Sequence, residues 1–86
     1  MPLFIIERNF AEAIELDGNN PDIKRVNDEA GISWLYSFLS ADRKKTYCLY
    51  EAPNAESIQE AADRLQIPAD RIMEVNAPVG PVAAPA

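Results

Sequence analysis

The chain has 86 residues, a net charge of −6 and no histidine. That length makes one domain, and a chain so short buries only about 60–65% of the surface its unfolded form exposes, so pairing with a second copy would help it. The acidic balance argues against a nucleic-acid backbone or an anionic membrane surface, both of which need a basic face. A single cysteine cannot form an intrachain disulfide. The apolar start Met1-Pro2-Leu3-Phe4-Ile5-Ile6 runs straight into Glu7-Arg8 and has no basic leader, and no stretch is long enough to span a bilayer. A cytoplasmic location is the expectation.

Leu3 to Arg8 reads as a first strand, nearly continuous in apolar residues and therefore central and covered on both faces. Asn9 to Asn19 has no sustained period. Phe10, Ile14 and Leu16 are expected to anchor it over the sheet, and Asp17-Gly18-Asn19 signals a turn. Asn20-Pro21 opens a helix, with Asn as N-cap, Pro at the first helical position and Asp22 where the helix dipole favours an anion. Ile23, Val26, Asn27 and Ala30 share one face of that helix, and Gly31 ends it.

Two strands follow, Ile32 to Leu39 and Thr46 to Glu51, joined by the polar turn Ser40 to Lys45. Strict alternation puts Ile32, Trp34, Tyr36 and Phe38 on one face and Ser33, Leu35, Ser37 and Leu39 on the other. The partner strand divides into Tyr47, Leu49 and Glu51 against Thr46, Cys48 and Tyr50. Neither strand has a purely polar face, so both sides of the hairpin are expected to be covered. Asn54 caps a second helix, with Ala55, Ile58, Ala61, Ala62 and Leu65 as its apolar stripe, and Pro68 ends it near Gln66. Arg71 to Val75 is a short last strand. Residues 1–76 thus form the domain and 77–86 a Pro/Ala-rich tail, expected to be extended or disordered.

The order β-α-β-β-α-β predicts an α+β ferredoxin-like fold. Its four-stranded antiparallel sheet has spatial order 4-1-3-2 and both helices on one face. The bare face is too apolar for water, which predicts a homodimer, in the manner of a dimeric α+β barrel.

Without histidine the usual general bases and triads lack their base. The remaining candidates for a ligand site are Glu7, Arg8, Tyr36, Tyr47, Cys48, Tyr50 and Glu51. Tyrosines combine an apolar ring with a polar tip and suit interfaces and pockets alike. A charged pair such as Glu7 and Arg8 on a central strand is costly unless partnered. Cys48 on a central strand reads equally as an inert buried thiol.

Ile6-Glu7-Arg8, Trp34-Leu35-Tyr36-Ser37-Phe38-Leu39-Ser40-Ala41-Asp42, Lys45 to Pro53 and Ile67-Pro68-Ala69-Asp70-Arg71-Ile72 resemble a family of small bacterial proteins of unknown function, some of which are described as nickel-binding. The strand Tyr47-Cys48-Leu49-Tyr50 followed by Glu51-Ala52-Pro53 is the most specific part. The resemblance implies a ferredoxin-like dimer and nickel as the metal. Relatives carry histidine in the second helix and in the strand, where this chain has Ala61 and Tyr36, and imidazole is the ligand that suits nickel. The function expected is a non-enzymatic small-ligand-binding or metal-binding module. The alternatives are a cofactor-free enzyme of the dimeric α+β barrel kind and a structural or stress-related dimer.

Overall fold

The structure is a computed structural model that describes residues 1–77 and 79–81. The elements are β1 (Leu3–Asn9), α1 (Pro21–Ala30), β2 (Ser33–Leu39), β3 (Lys45–Glu51), α2 (Ala55–Leu65) and β4 (Arg71–Val75). They form one four-stranded sheet in the order β2-β3-β1-β4, antiparallel throughout. This is the ferredoxin-like arrangement expected from the element order. The part of the expected tail at 78 and 82–86 lies outside the described residues.

The helix ends follow the local chemistry. The Asn20 side chain accepts from the backbone N–H groups of Asp22, at 2.9 Å, and Ile23, at 3.4 Å. Gly31 closes α1 at φ 75° and ψ 30°, the left-handed region that a residue without Cβ enters freely. The Asn54 side chain accepts from Ser57 N–H at 2.9 Å to start α2. The hairpin turn is pinned by Asp42, whose carboxylate accepts from the Ser40 hydroxyl at 2.7 Å and from Lys44 N–H at 3.0 Å.

Both helices cover the same sheet face. Val26 of α1 and Ile58 and Ala61 of α2 pack on Phe4, Ile6, Cys48 and Tyr50, with Ile32 and Ala52 completing the core. Glu29 and Arg64 join α1 to α2 across the outside. The loop after β1 is held by backbone bonds, Phe10 N–H to Lys44 O and Ile14 N–H to Arg43 O, both 2.8 Å. Phe10 and Ile14 are half-buried, whereas Leu16 is exposed at the rim of a cleft beside β2.

The expected faces of β2 need one correction. Trp34 lies opposite Tyr50, yet the next residue in register with β3 is Tyr36, opposite Leu49. Leu35 is the extra residue of a β-bulge, which interrupts the two-residue period. Ile32 and Trp34 therefore face the helices, as do Ser37 and Leu39 beyond the bulge. Tyr36 and Phe38 turn to the other face. Trp34 Nε1 donates to Ser37 Oγ at 2.7 Å, which fixes both on the helix side. Trp34 accordingly belongs to the core margin and not to a surface awaiting a partner.

Candidate functional site

The residues singled out from the sequence divide between the two sheet faces. Arg8, Cys48 and Tyr50 point under the helices, while Glu7, Tyr36, Tyr47 and Glu51 lie on the open face.

Beneath the helices the sheet carries a buried polar cluster. Arg8 is only 4% exposed. Its Nη1 donates to Pro68 O at 2.6 Å, which ties the end of β1 to the connection after α2. The guanidinium carbon stands 6.0 Å from the centre of the Tyr50 ring, a cation–π distance. Burial pushes the Tyr50 phenol above the usual tyrosine range, against the lowering effect of the Arg8 charge. Asn27 of α1 is buried beside them, and its Oδ1 has no hydrogen-bond partner among the described residues. The Cys48 thiol is buried and donates to Thr46 Oγ1 at 3.6 Å. A thiol so placed, with no base beside it, is a small core side chain.

The open face is built in rows, because residues paired across antiparallel strands share a side. One row reads Phe38, Tyr47, Glu7 and Arg71 across β2, β3, β1 and β4. The middle row is Tyr36, Leu49, Ile5 and Met73, and the far row is Ser33, Glu51, Leu3 and Val75. Tyr36 and Phe38 meet edge to face at 5.6 Å. Phe38 is 60% exposed, and Tyr47 and Met73 are exposed to a lesser degree. Glu7 Oε2 lies 3.8 Å from Lys45 Nζ and accepts from Asn9 Nδ2 at 3.3 Å. Lys45 Nζ is 5.9 Å from the centre of the Tyr47 ring.

Two clefts lie over its central and far rows. A shallow one of about 120 Å³ lies between Ile5, Glu7, Tyr47, Arg71 and Met73. A wider one of about 550 Å³ sits at the far row, between Met1, Pro2, Leu3, Glu51, Glu74, Val75 and Asn76. Arg71 and Met73 were missed by the sequence reading: the expected strand order puts β4 beside β1, but only the observed register sets Arg71 directly beside Glu7.

The donors on these two faces do not suit nickel. The chain has no imidazole. Its thiol is buried and turned toward Thr46. Among the described residues no three acidic, cysteine or histidine side chains converge on one point. Soft or nitrogen donors are what favour nickel over hard cations.

Comparison with known proteins agrees with the fold. The sequence model of the family described as "Nickel responsive protein SCO4226-like" matches residues 4–75. The crystal structure of SCO4226 from Streptomyces coelicolor A3(2) superposes with a TM-score of 0.72. It is 24% identical, with 95% of this chain and 99% of that chain covered. No curated protein matches.

Proposed function

The chain belongs to the SCO4226-like family of nickel responsive proteins, and on that footing we propose that it is a non-enzymatic binding module that works as a homodimer through its open sheet face. The observation that carries this reading is the middle of that face. Tyr36, Leu49, Ile5 and Met73 form one apolar row, with Phe38 and Tyr47 beside it. Helices cover only the opposite side; on this side Leu49 is already buried in the protomer and Ile5 and Tyr36 are half-buried, while Met73, Phe38 and Tyr47 remain exposed. Contiguous apolar surface of this kind marks an interaction site. A two-fold pair of identical copies is the commonest solution for soluble chains, and two sheets stacked about 10 Å apart would bury the row from both sides.

The family's printed description concerns nickel. In this chain the donor set supports a ligand other than nickel, held by the charged and aromatic groups at the rim of the face. The enzyme alternative needs Glu7 and Arg8 in one cleft, and successive positions on β1 send them to opposite faces. No helix among the described residues is long and apolar enough to cross a membrane.

Sedimentation equilibrium of the full chain at micromolar concentration tests the dimer, and a monomer there would overturn it. Titration calorimetry with nickel tests the donor argument. The expected result is no saturable heat and no change in melting temperature, and stoichiometric nickel binding would refute it.

A further inference from the structure

The turn that leads into α1 carries the pair Asp17-Gly18, and no other aspartate or asparagine in the chain is followed by glycine. The pair opens a four-residue turn, closed by Asn20 N–H donating to Asp17 O at 3.3 Å. The Asp17 side chain is held in the same turn, its Oδ1 accepting from Asn19 N–H at 2.9 Å. Asp17, Gly18 and Asn19 are all exposed.

The turn does not need a glycine at this position. Gly18 lies outside the left-handed region, unlike Gly31, and a Cβ at Gly18 would meet no atom within 4 Å. What the glycine supplies is chemical access. No side chain shields its amide nitrogen, and Gly18 N–H donates to no acceptor among the described residues. The carboxyl carbon of the preceding residue is within ring-closing reach of that nitrogen, as it is in any Asp-Gly pair. Here both partners stand at the surface, with neither element packing nor a hydrogen bond to the amide in the way.

We infer that Asp17 is a site of spontaneous isomerisation to isoaspartate in the folded protein. The Gly18 nitrogen forms a bond to Asp17 Cγ, and one bond from Cγ to a carboxyl oxygen breaks. That oxygen leaves as water with the amide proton and the carboxyl proton, and a succinimide remains. Water then opens the ring. Attack at Cγ restores aspartate, whereas attack at the main-chain carbonyl of Asp17 leaves the backbone running through Cγ with a free α-carboxylate. Water is lost and regained, so mass and net charge do not change. The turn does change: the former side-chain carboxyl becomes the main-chain amide, and the former main-chain carbonyl becomes a carboxylate. Both hydrogen bonds that Asp17 accepts are displaced, directly ahead of the Asn20 cap of α1. The new carboxylate is the group that S-adenosylmethionine-dependent isoaspartyl methyltransferases esterify, so the altered chain becomes a substrate for that class of enzyme.

The full chain is aged in neutral buffer made with heavy-oxygen water and then mapped by peptide mass spectrometry, beside a urea-unfolded sample. In the folded wild type the peptide that holds Asp17 should split into two species. The new species should carry heavy oxygen and accept a methyl group from an isoaspartyl methyltransferase, and it should form about as fast as in the unfolded chain. Gly18→Val should melt as the wild type does and lose the product, because its side chain shields the amide. Gly18→Ala, with a smaller shield, should fall between them. Product in the unfolded sample alone means that the turn protects the pair, and overturns the inference. Equal yield in Gly18→Val and the wild type overturns the part given to the unshielded amide. The purified isoaspartyl form should melt below the wild type, and an unchanged melting temperature overturns the displacement of the turn ahead of α1.

Discussion

Replacing Phe38 with Asp should separate the subunits without unfolding them. Phe38 lies at the β2 end of its row, on the open face, and is 60% exposed in the protomer. A phenylalanine side chain offers about 200 Å², so about 120 Å² of this ring is left for a partner to cover. At about 25 cal/mol per Å² that is about 3 kcal/mol per copy, and about 6 kcal/mol for the symmetric pair. Losing it would weaken dimerisation by roughly 10⁴-fold, before the added cost of burying two carboxylates. The edge-to-face contact with Tyr36 contributes a further fraction of a kcal/mol. Sedimentation equilibrium gives the assembly state, and far-ultraviolet circular dichroism shows whether the protomer stays folded. Trp34→Asp is the contrasting variant. Trp34 packs against the core on the helix side, so that change should unfold the chain. The reasoning fails if Phe38→Asp sediments as the wild type does, or if Trp34→Asp yields a folded monomer.

Tyr50 ties stability to alkaline pH. Burial holds its folded pKa above the unfolded value, so its contribution is fully present below the ordinary tyrosine pKa of about 10 and is lost as pH rises through the folded pKa. Melting temperature should fall over this range in the wild type and less steeply in Tyr50→Phe, and parallel slopes would count against the buried phenol. Asn20→Ala removes the acceptor for Asp22 and Ile23 N–H. It should cost about 1 kcal/mol by urea denaturation, and no change would mean that α1 is held by packing alone. A chain ending at Asn76 should keep its melting temperature within a few degrees, since Pro78, Pro81 and Pro85 lack the N–H that sheet pairing needs. A large drop would mean that the tail packs on the domain or on a partner.

The one-dimensional pattern decided most of the fold, because its signals are local. Asn20-Pro21 and Gly31 bounded α1, and Asn54 and Pro68 bounded α2, through capping and backbone restrictions that act within a few residues. The element order then left the sheet order 4-1-3-2, given short connections and right-handed crossovers. The alternation of β3 was legible in part: Thr46, Cys48 and Tyr50 are buried and Tyr47 is exposed, but Leu49, on the same face as Tyr47, is buried as well.

Only the tertiary structure decided β2. The extra residue at Leu35 carries no glycine or other turn signal in its neighbourhood, since the bulge arises from matching a strand to its neighbour. One added residue moved Tyr36 and Phe38 to the open face and left Trp34 with the helices, which changes the residues a partner would meet. The candidate site was legible in part. Alternation alone separates Glu7 from Arg8, and it places Tyr47 opposite Tyr50 and Cys48. It does not bring Arg71 beside Glu7 or Pro68 onto Arg8, because those contacts join residues about sixty positions apart. Such proximity is set by how the strands pair and how α2 returns to the sheet, and no local propensity encodes it.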